Sequence, residues 1–271
     1  MFNNLFIPEE GKEKLITTTT GETFIPVRLY YKIHNKSLLI KAIKKLKCAS
    51  FAEFDENYFI ISYYKEAKKL NLEVFYQDIP KELYPITLAN CYIKNNSTLC
   101  IDLKSMARAI EIIDFLSKHI RPFNILEITS IAHKNHVTSC KDEEELHDKF
   151  YPDYDELFDH LVDDRSEYLT QYMEEVKKKE GDFADIDELS KEKIKINLFA
   201  NLHDQEKSNY PVAEKINIQY KRSEHEELLY MLTYKFVVKQ CVALKRHEGN
   251  KDFTSFDALE DLFRFASKEK D

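Results

Sequence analysis

Tryptophan is absent from this chain of 271 residues, and glycine occurs only four times, at Gly11, Gly21, Gly181 and Gly249. Phosphate-cradling loops need clustered glycines whose bare backbone approaches the ligand, so P-loop and Rossmann nucleotide sites are excluded. No serine stands in a G-x-S-x-G setting, which removes the strained nucleophile turn of that class of hydrolase. The five cysteines, Cys48, Cys91, Cys100, Cys140 and Cys241, include no C-x-x-C pair, so zinc ribbons and thioredoxin-like motifs are missing too. Nowhere do about 18 uncharged apolar residues follow one another, and Met1 to Thr23 has no basic segment leading into an apolar run. These absences lead to the expectation of a soluble cytoplasmic protein with reduced thiols and no membrane partner.

What is present is segregated charge. The whole chain carries −8, yet Asp142 to Ser190 holds 19 Asp and Glu against 5 Lys and Arg, a local balance of −14. The remaining residues sum to +6, so a mildly basic body carries one acidic arm. With 43% hydrophobic and 32% charged residues, the composition is that of a globular chain with a sizeable core.

Periodicity divides the chain into a loose lead-in or edge strand over 1–23, an α+β domain over 24–140 and a helix-rich region over 141–271. Val27 to Ile33 reads as a strand, and Leu38, Leu39, Ala42, Ile43 and Leu46 as a helix capped by Asn35. Phe51 to Phe54 and Tyr58 to Tyr63 read as a hairpin, a short helix as Lys65 to Leu70, and Glu73 to Tyr76 as a strand. That order over 27–79, β-α-β-β-α-β, is ferredoxin-like in part. Thr87 to Lys94 and Thr98 to Lys104 flank Asn95-Asn96-Ser97, where Asn tolerates the positive φ of a tight turn. A tight turn at Asn95-Asn96 would set Cys91 against Cys100. A helix with the stripe Met106, Ala109, Ile110, Ile113, Leu116 and Ile120 follows, then a strand over Asn124 to Ile131. The expected class is α+β, a mostly antiparallel sheet with helices on one face, followed by the helix-rich region.

Within the acidic arm, Tyr154, Leu157, Phe158, Leu161, Val162, Tyr168, Leu169, Tyr172, Met173 and Val176 fall at helical spacing, predicting one long amphipathic helix over 153–180. Ile194, Ile196 and Leu198 alternate, as do Ile216, Ile218 and Tyr220, suggesting two added strands. Ser223 to Glu226 forms a capping box ahead of a helix stopped at Gly249-Asn250, and a last helix carries Phe256, Leu259, Leu262 and Phe263.

Two constellations carry candidate chemistry. Asp102-x-Lys104 places a carboxylate and an amine on one strand face, where they could hold Mg²⁺ and polarise a water. The elements around them, from helix 65–70 to strand 124–131, are similar in order to the α-β-β-β-α-β core of restriction-endonuclease-like nucleases. That resemblance implies metal-dependent phosphodiester hydrolysis with Asp102 and Lys104 as catalytic residues. It departs from the pattern at Ala89 and Asn90, where a second acidic ligand is needed, and Asp78 lies earlier. The bland alternative is the polar side of a half-exposed strand. The second constellation is His133-x-x-His136-x-x-x-Cys140, ligand types suited to zinc, set against a plain polar loop.

Lys41, Lys44, Lys45 and Lys47, with Lys65, Lys68 and Lys69, lie near Tyr30, Tyr31, Tyr63 and Tyr64, a mixture that serves single-stranded nucleic acid. The first 141 residues hold 20 Lys and Arg against 15 Asp and Glu, a thin excess for that role. The leading expectation is a non-enzymatic interaction protein whose acidic helix is a docking face or a contact with the basic body. It needs no cofactor, and Mg²⁺ enters only with the nuclease alternative. The sequence assigns neither the protein partner nor an oligomeric state.

Overall fold

The computed structural model describes residues 13–120, 125–162, 172, 174–179, 187–218 and 225–268. A seven-stranded antiparallel sheet organises them, built from β2 (Val27–Ile33), β3 (Ala49–Ala52), β4 (Asp55–Ser62), β5 (Thr87–Lys94), β6 (Thr98–Leu103), β7 (Leu126–Lys134) and β9 (Ala213–Asn217). Their spatial order is β3-β4-β5-β6-β2-β7-β9. A separate two-stranded ribbon joins β1 (Lys14–Leu15) to β8 (Ser139–Cys140).

Strand alternation sends successive side chains to opposite faces. Val27, Leu29, Tyr31 and Ile33 on β2, with Leu99, Ile101 and Leu103 on β6, enter the main core. There they meet α1 (Lys36–Ile43), α2 (Met106–His119) and α6 (His225–His247), which supply Leu39, Ile43, Ile112, Leu116, Leu228, Leu232 and Phe236. Asn35 caps α1 through a bond from the Leu38 amide at 3.0 Å. The opposite face carries a smaller cluster, Tyr30, Cys100, Ala132 and Phe158, closed by α4 (Tyr154–Phe158). Next to the ribbon, α3 (Glu143–Phe150) packs Leu146 and Phe150 on Ile16, Phe24 and Cys140. Of two further helices, α7 (Ser255–Lys268) packs on α6 through Val238, Val242, Phe253 and Ala258, and α5 (Glu188–Ser208) meets α7 at Phe199 and Phe256.

Asn95 and Asn96 take φ of 51° and 58° at the β5–β6 turn. Ser97 is also in the loop, so Lys94 pairs with Thr98 and Cys91 faces Ile101 instead of Cys100. That single added residue puts the two cysteines on opposite faces of the sheet, Cys91 in the main core and Cys100 in the smaller cluster.

Several expected elements differ. Lys65–Lys69 is a 3-10 turn, and Glu73 to Tyr76 runs into a second one at Tyr76–Asp78, so the ferredoxin-like order is realised only as β-α-β-β. Ile194 to Leu198 lies inside α5: Ile196 is exposed, so the alternation has no face to bury, and Asp187 caps a helix of good formers. The acidic helix stops at Phe158, where Asp159 and His160 turn the chain and Leu161 and Val162 are non-helical. The expected span is helical again at 172 and 174–179, while the residues between lie outside the described residues, as does Ser223 of the capping box. Ile216 does belong to an added strand, β9, which pairs with β7. Of the lead-in, residues 13–23 carry β1 and a bridge between Thr17 and Thr23, and Thr18, Thr20 and Glu22 are buried. Among the described residues, no helix is long and apolar enough to cross a membrane.

Candidate functional site

Charge collects on the smaller face of the sheet. Arg28 and Asp102 are register partners across β2 and β6, and both are buried, at 2% and 5% exposure. Arg28 Nε donates to Asp102 Oδ1 at 2.5 Å and its NH2 donates to Oδ2 at 2.8 Å. The remaining nitrogen, NH1, reaches Asp155 Oδ1 at 2.6 Å and Asp159 Oδ1 at 2.9 Å. Lys94, on β5, donates to the same two carboxylates at 2.7 and 2.8 Å. Asp155 and Asp159 are four residues apart at α4, so they share a side of the helix. Asp153 caps α4 through the Asp155 and Glu156 amides, and the Tyr154 hydroxyl donates to the Leu103 carbonyl at 2.8 Å.

The acidic arm therefore turns two of its carboxylates inward, onto the body's own cations. Two cations face three carboxylates, and the environments differ. Burial pushes the Asp102 carboxyl above its ordinary range, against the pull of Arg28. The Lys94 hydrogen bond leads in holding Asp155 below the usual carboxylate range. At Asp159 burial acts upward, but Lys94 and Arg28 together keep it low. Burial at Lys94 is outweighed by these two carboxylates, which raise its ammonium.

Lys104 follows the last residue of β6, and it and Asp102 are not brought to one reacting point. Both Asp102 oxygens are held by Arg28. Glu111 accepts from the Asn71 amide and Glu127 meets His34, so these carboxylates are engaged elsewhere. Lys104 Nζ lies over the rings of Phe150 and Tyr151, at 3.4 and 4.1 Å from their centroids. Burial first, and then the charge of Arg108, push its ammonium down to about 7. The aromatic faces favour the charged form and work against that shift.

His133, His136 and Cys140 go to three separate surroundings. His133 is fully buried with Nε2 3.1 Å from Glu214 Oε1, a carboxylate 3.2 Å from Lys239. His136 stands edge-on to Tyr210, and Cys140 packs with Ile16 and Phe24. Among the described residues, no group of three or more His, Cys, Asp or Glu is placed to hold a metal ion. Of the basic N-terminal lysines, Lys44 pairs with Glu56 and Lys68 lies 3.9 Å from the centre of the Tyr76 ring.

Sequence reasoning singled out the acidic arm and missed Arg28 and Lys94 as its partners. A usable signal existed: Arg28 interrupts the apolar run of β2 and falls on the side opposite Val27 and Leu29. Alongside α4, a groove of about 500 Å³ separates that helix from β9. Its lining is apolar at Leu157, Leu161, Val212 and Ala213 and acidic at Asp153 and Glu156. Val212 is 63% exposed. The chain matches no protein-family model, no curated protein and no solved structure.

Proposed function

We propose that this chain is a non-enzymatic interaction protein whose acidic helix docks a basic, apolar-bearing segment of another protein. The groove beside α4 carries this reading: an apolar lining next to solvent-facing carboxylates complements a segment with Leu or Val between Lys or Arg. Asp155 and Asp159 are turned toward Arg28 and Lys94, so their role is to hold α4 on the sheet, while Glu156 is left to face a partner. The nuclease alternative has less support, because Asp102 offers a metal neither oxygen without first releasing Arg28.

The test is peptide-display selection on the full chain, with the selected peptides then measured by fluorescence anisotropy. Peptides carrying Lys or Arg around Leu or Val are expected to be enriched. Their binding should weaken with Glu156→Lys, with Val212→Asp and with rising salt, since exposed charges are screened beyond about 10 Å at 0.1 M ionic strength. Enrichment of acidic peptides, or binding indifferent to both substitutions, would overturn the reading.

A further inference from the structure

A second concavity, of about 450 Å³, opens where the turn after β7 meets the C-terminal ends of α5 and α6. His136, Lys207, Tyr210, Arg246, Lys251 and Asp252 are among its lining residues. Arg246 is fixed in place: Nε donates to the Phe253 carbonyl at 2.7 Å, NH2 donates to the Glu206 carbonyl at 3.1 Å, and the guanidinium lies 3.9 Å from the centre of the Tyr210 ring. Both acceptors are neutral backbone oxygens, so they orient the guanidinium without cancelling its charge. Lys207 and Lys251 are exposed and make no ion pair among the described residues.

Among the lining residues, one fixed guanidinium and two mobile ammonium groups thus meet one carboxylate, Asp252, in a protein whose net charge is −8. Cations also gather at helix ends simply to offset the carbonyl dipole, and two helices end here. That accounts for roughly one unit of charge, about half a charge per helix end. An excess of about one positive charge remains among the lining residues.

The geometry points to this cleft as a binding site for a small phosphorylated molecule, its phosphate held by Arg246, Lys207 and Lys251. An oriented guanidinium with two mobile ammonium groups suits a phosphate dianion. The volume falls in the range of small-ligand sites, about 300 to 1,000 Å³. A polynucleotide fits less well, because its backbone would run beyond the cleft, where Arg246, Lys207 and Lys251 no longer reach its phosphates.

The experiment is isothermal titration of the full chain with adenosine monophosphate, ribose 5-phosphate and inorganic phosphate. Adenosine, ribose and a short single-stranded RNA serve as comparisons. Saturable binding of at least one phosphorylated small molecule is expected, with none by its dephosphorylated counterpart. Lys207→Glu with Lys251→Glu should weaken it by at least about tenfold, at an unchanged unfolding midpoint, because both side chains are exposed. Three results would each overturn the proposal: no binding by any phosphorylated probe, binding untouched by the double substitution, or RNA bound more tightly than every small phosphate. Arg246→Lys gives an independent reading. It keeps the charge and loses the fork, so binding should fall more than the unfolding midpoint does, and a loss confined to stability counts against the site.

Discussion

Arg28 and Asp102 face each other across β2 and β6, and one guanidinium holds both oxygens of one buried carboxylate. A pair of this kind contributes little relative to an apolar pair of the same shape, but it is costly to break from one side. Asp102→Ala should lower unfolding free energy by about 3 to 5 kcal/mol, because Arg28 keeps only partners at the edge of the cluster. Arg28→Met with Asp102→Leu should recover most of that loss. Urea denaturation of the parent chain and the two variants decides it: a cost under about 1 kcal/mol for Asp102→Ala would show that water or the neighbouring carboxylates compensate the guanidinium.

Asp155 and Asp159 link α4 to the sheet with a definite pH sign. Their folded-state pKa values lie below the ordinary carboxylate value, so the stability they contribute is present at neutral pH. It is lost as pH falls below about 4, through those depressed values. Both side chains are substantially exposed, at 58% and 43%, so solvent screening limits the effect to about 1 kcal/mol for each. Stability measured from pH 6 down to pH 2 should fall less steeply in Asp155→Asn with Asp159→Asn than in the parent chain. Parallel curves would mean that these contacts do not persist in solution.

Lys104 titrates in the opposite sense. With its folded pKa lowered to about 7, the unfolded chain holds more protons at this site up to the ordinary lysine value near 10.4. Its contribution to stability therefore rises with pH through that window. Lys104→Met should remove the rise, and should stabilise the protein most clearly below pH 7, where the ammonium is otherwise buried at a cost. If the two pH profiles ran parallel, Phe150 and Tyr151 would be keeping the amine charged throughout.

Phe158 is fully buried although it lies at the end of a five-residue helix. A helix that short has no stability of its own, so this ring and the carboxylates beside it hold the segment down. Phe158→Ala should cost about 3 kcal/mol or more if α4 unfolds only with the sheet. If α4 can lift away alone, the global cost will be smaller and the change will appear as faster amide exchange over 154–158. Hydrogen exchange read beside urea denaturation separates these cases, and unchanged behaviour in both would contradict the packing.

Local features were legible in the sequence because their causes are local. The Asn35 cap, the positive φ of Asn95 and Asn96 and the stripe of α2 each follow from residues a few positions apart. Two expected strands failed for different reasons. Ile194 and Leu198 stand four apart and share a side of the helix, while Ile196 points away and is exposed, so three alternating residues are too short a run to set a strand apart from a helix. Glu73 to Tyr76 is rich in strand formers, but the Val74 amide bonds to the Thr20 carbonyl, and among the described residues no neighbouring strand takes up the rest. Thr18, Thr20 and Glu22 looked like a polar lead-in because Arg108, which donates to Thr20 and Glu22, is more than 80 residues away on α2, and Thr18 joins it only through those two side chains. The candidate site followed the same rule: the acidic arm was visible as composition, whereas its contact with Arg28 spans 127 residues.

The placement of β9 bears on the order of events during synthesis. This strand comes from the C-terminal half yet completes the sheet beside β7, pairing Lys134 with Ala213 and Ser130 with Asn217. A nascent chain whose first 140 residues have left the ribosome therefore presents β7 as an open template, with its outer row of amides and carbonyls unpaired until residue 217 emerges. Once the intervening acidic arm has emerged as well, the waiting chain is strongly acidic in sum, and like charges on neighbouring copies then discourage them from pairing edge to edge.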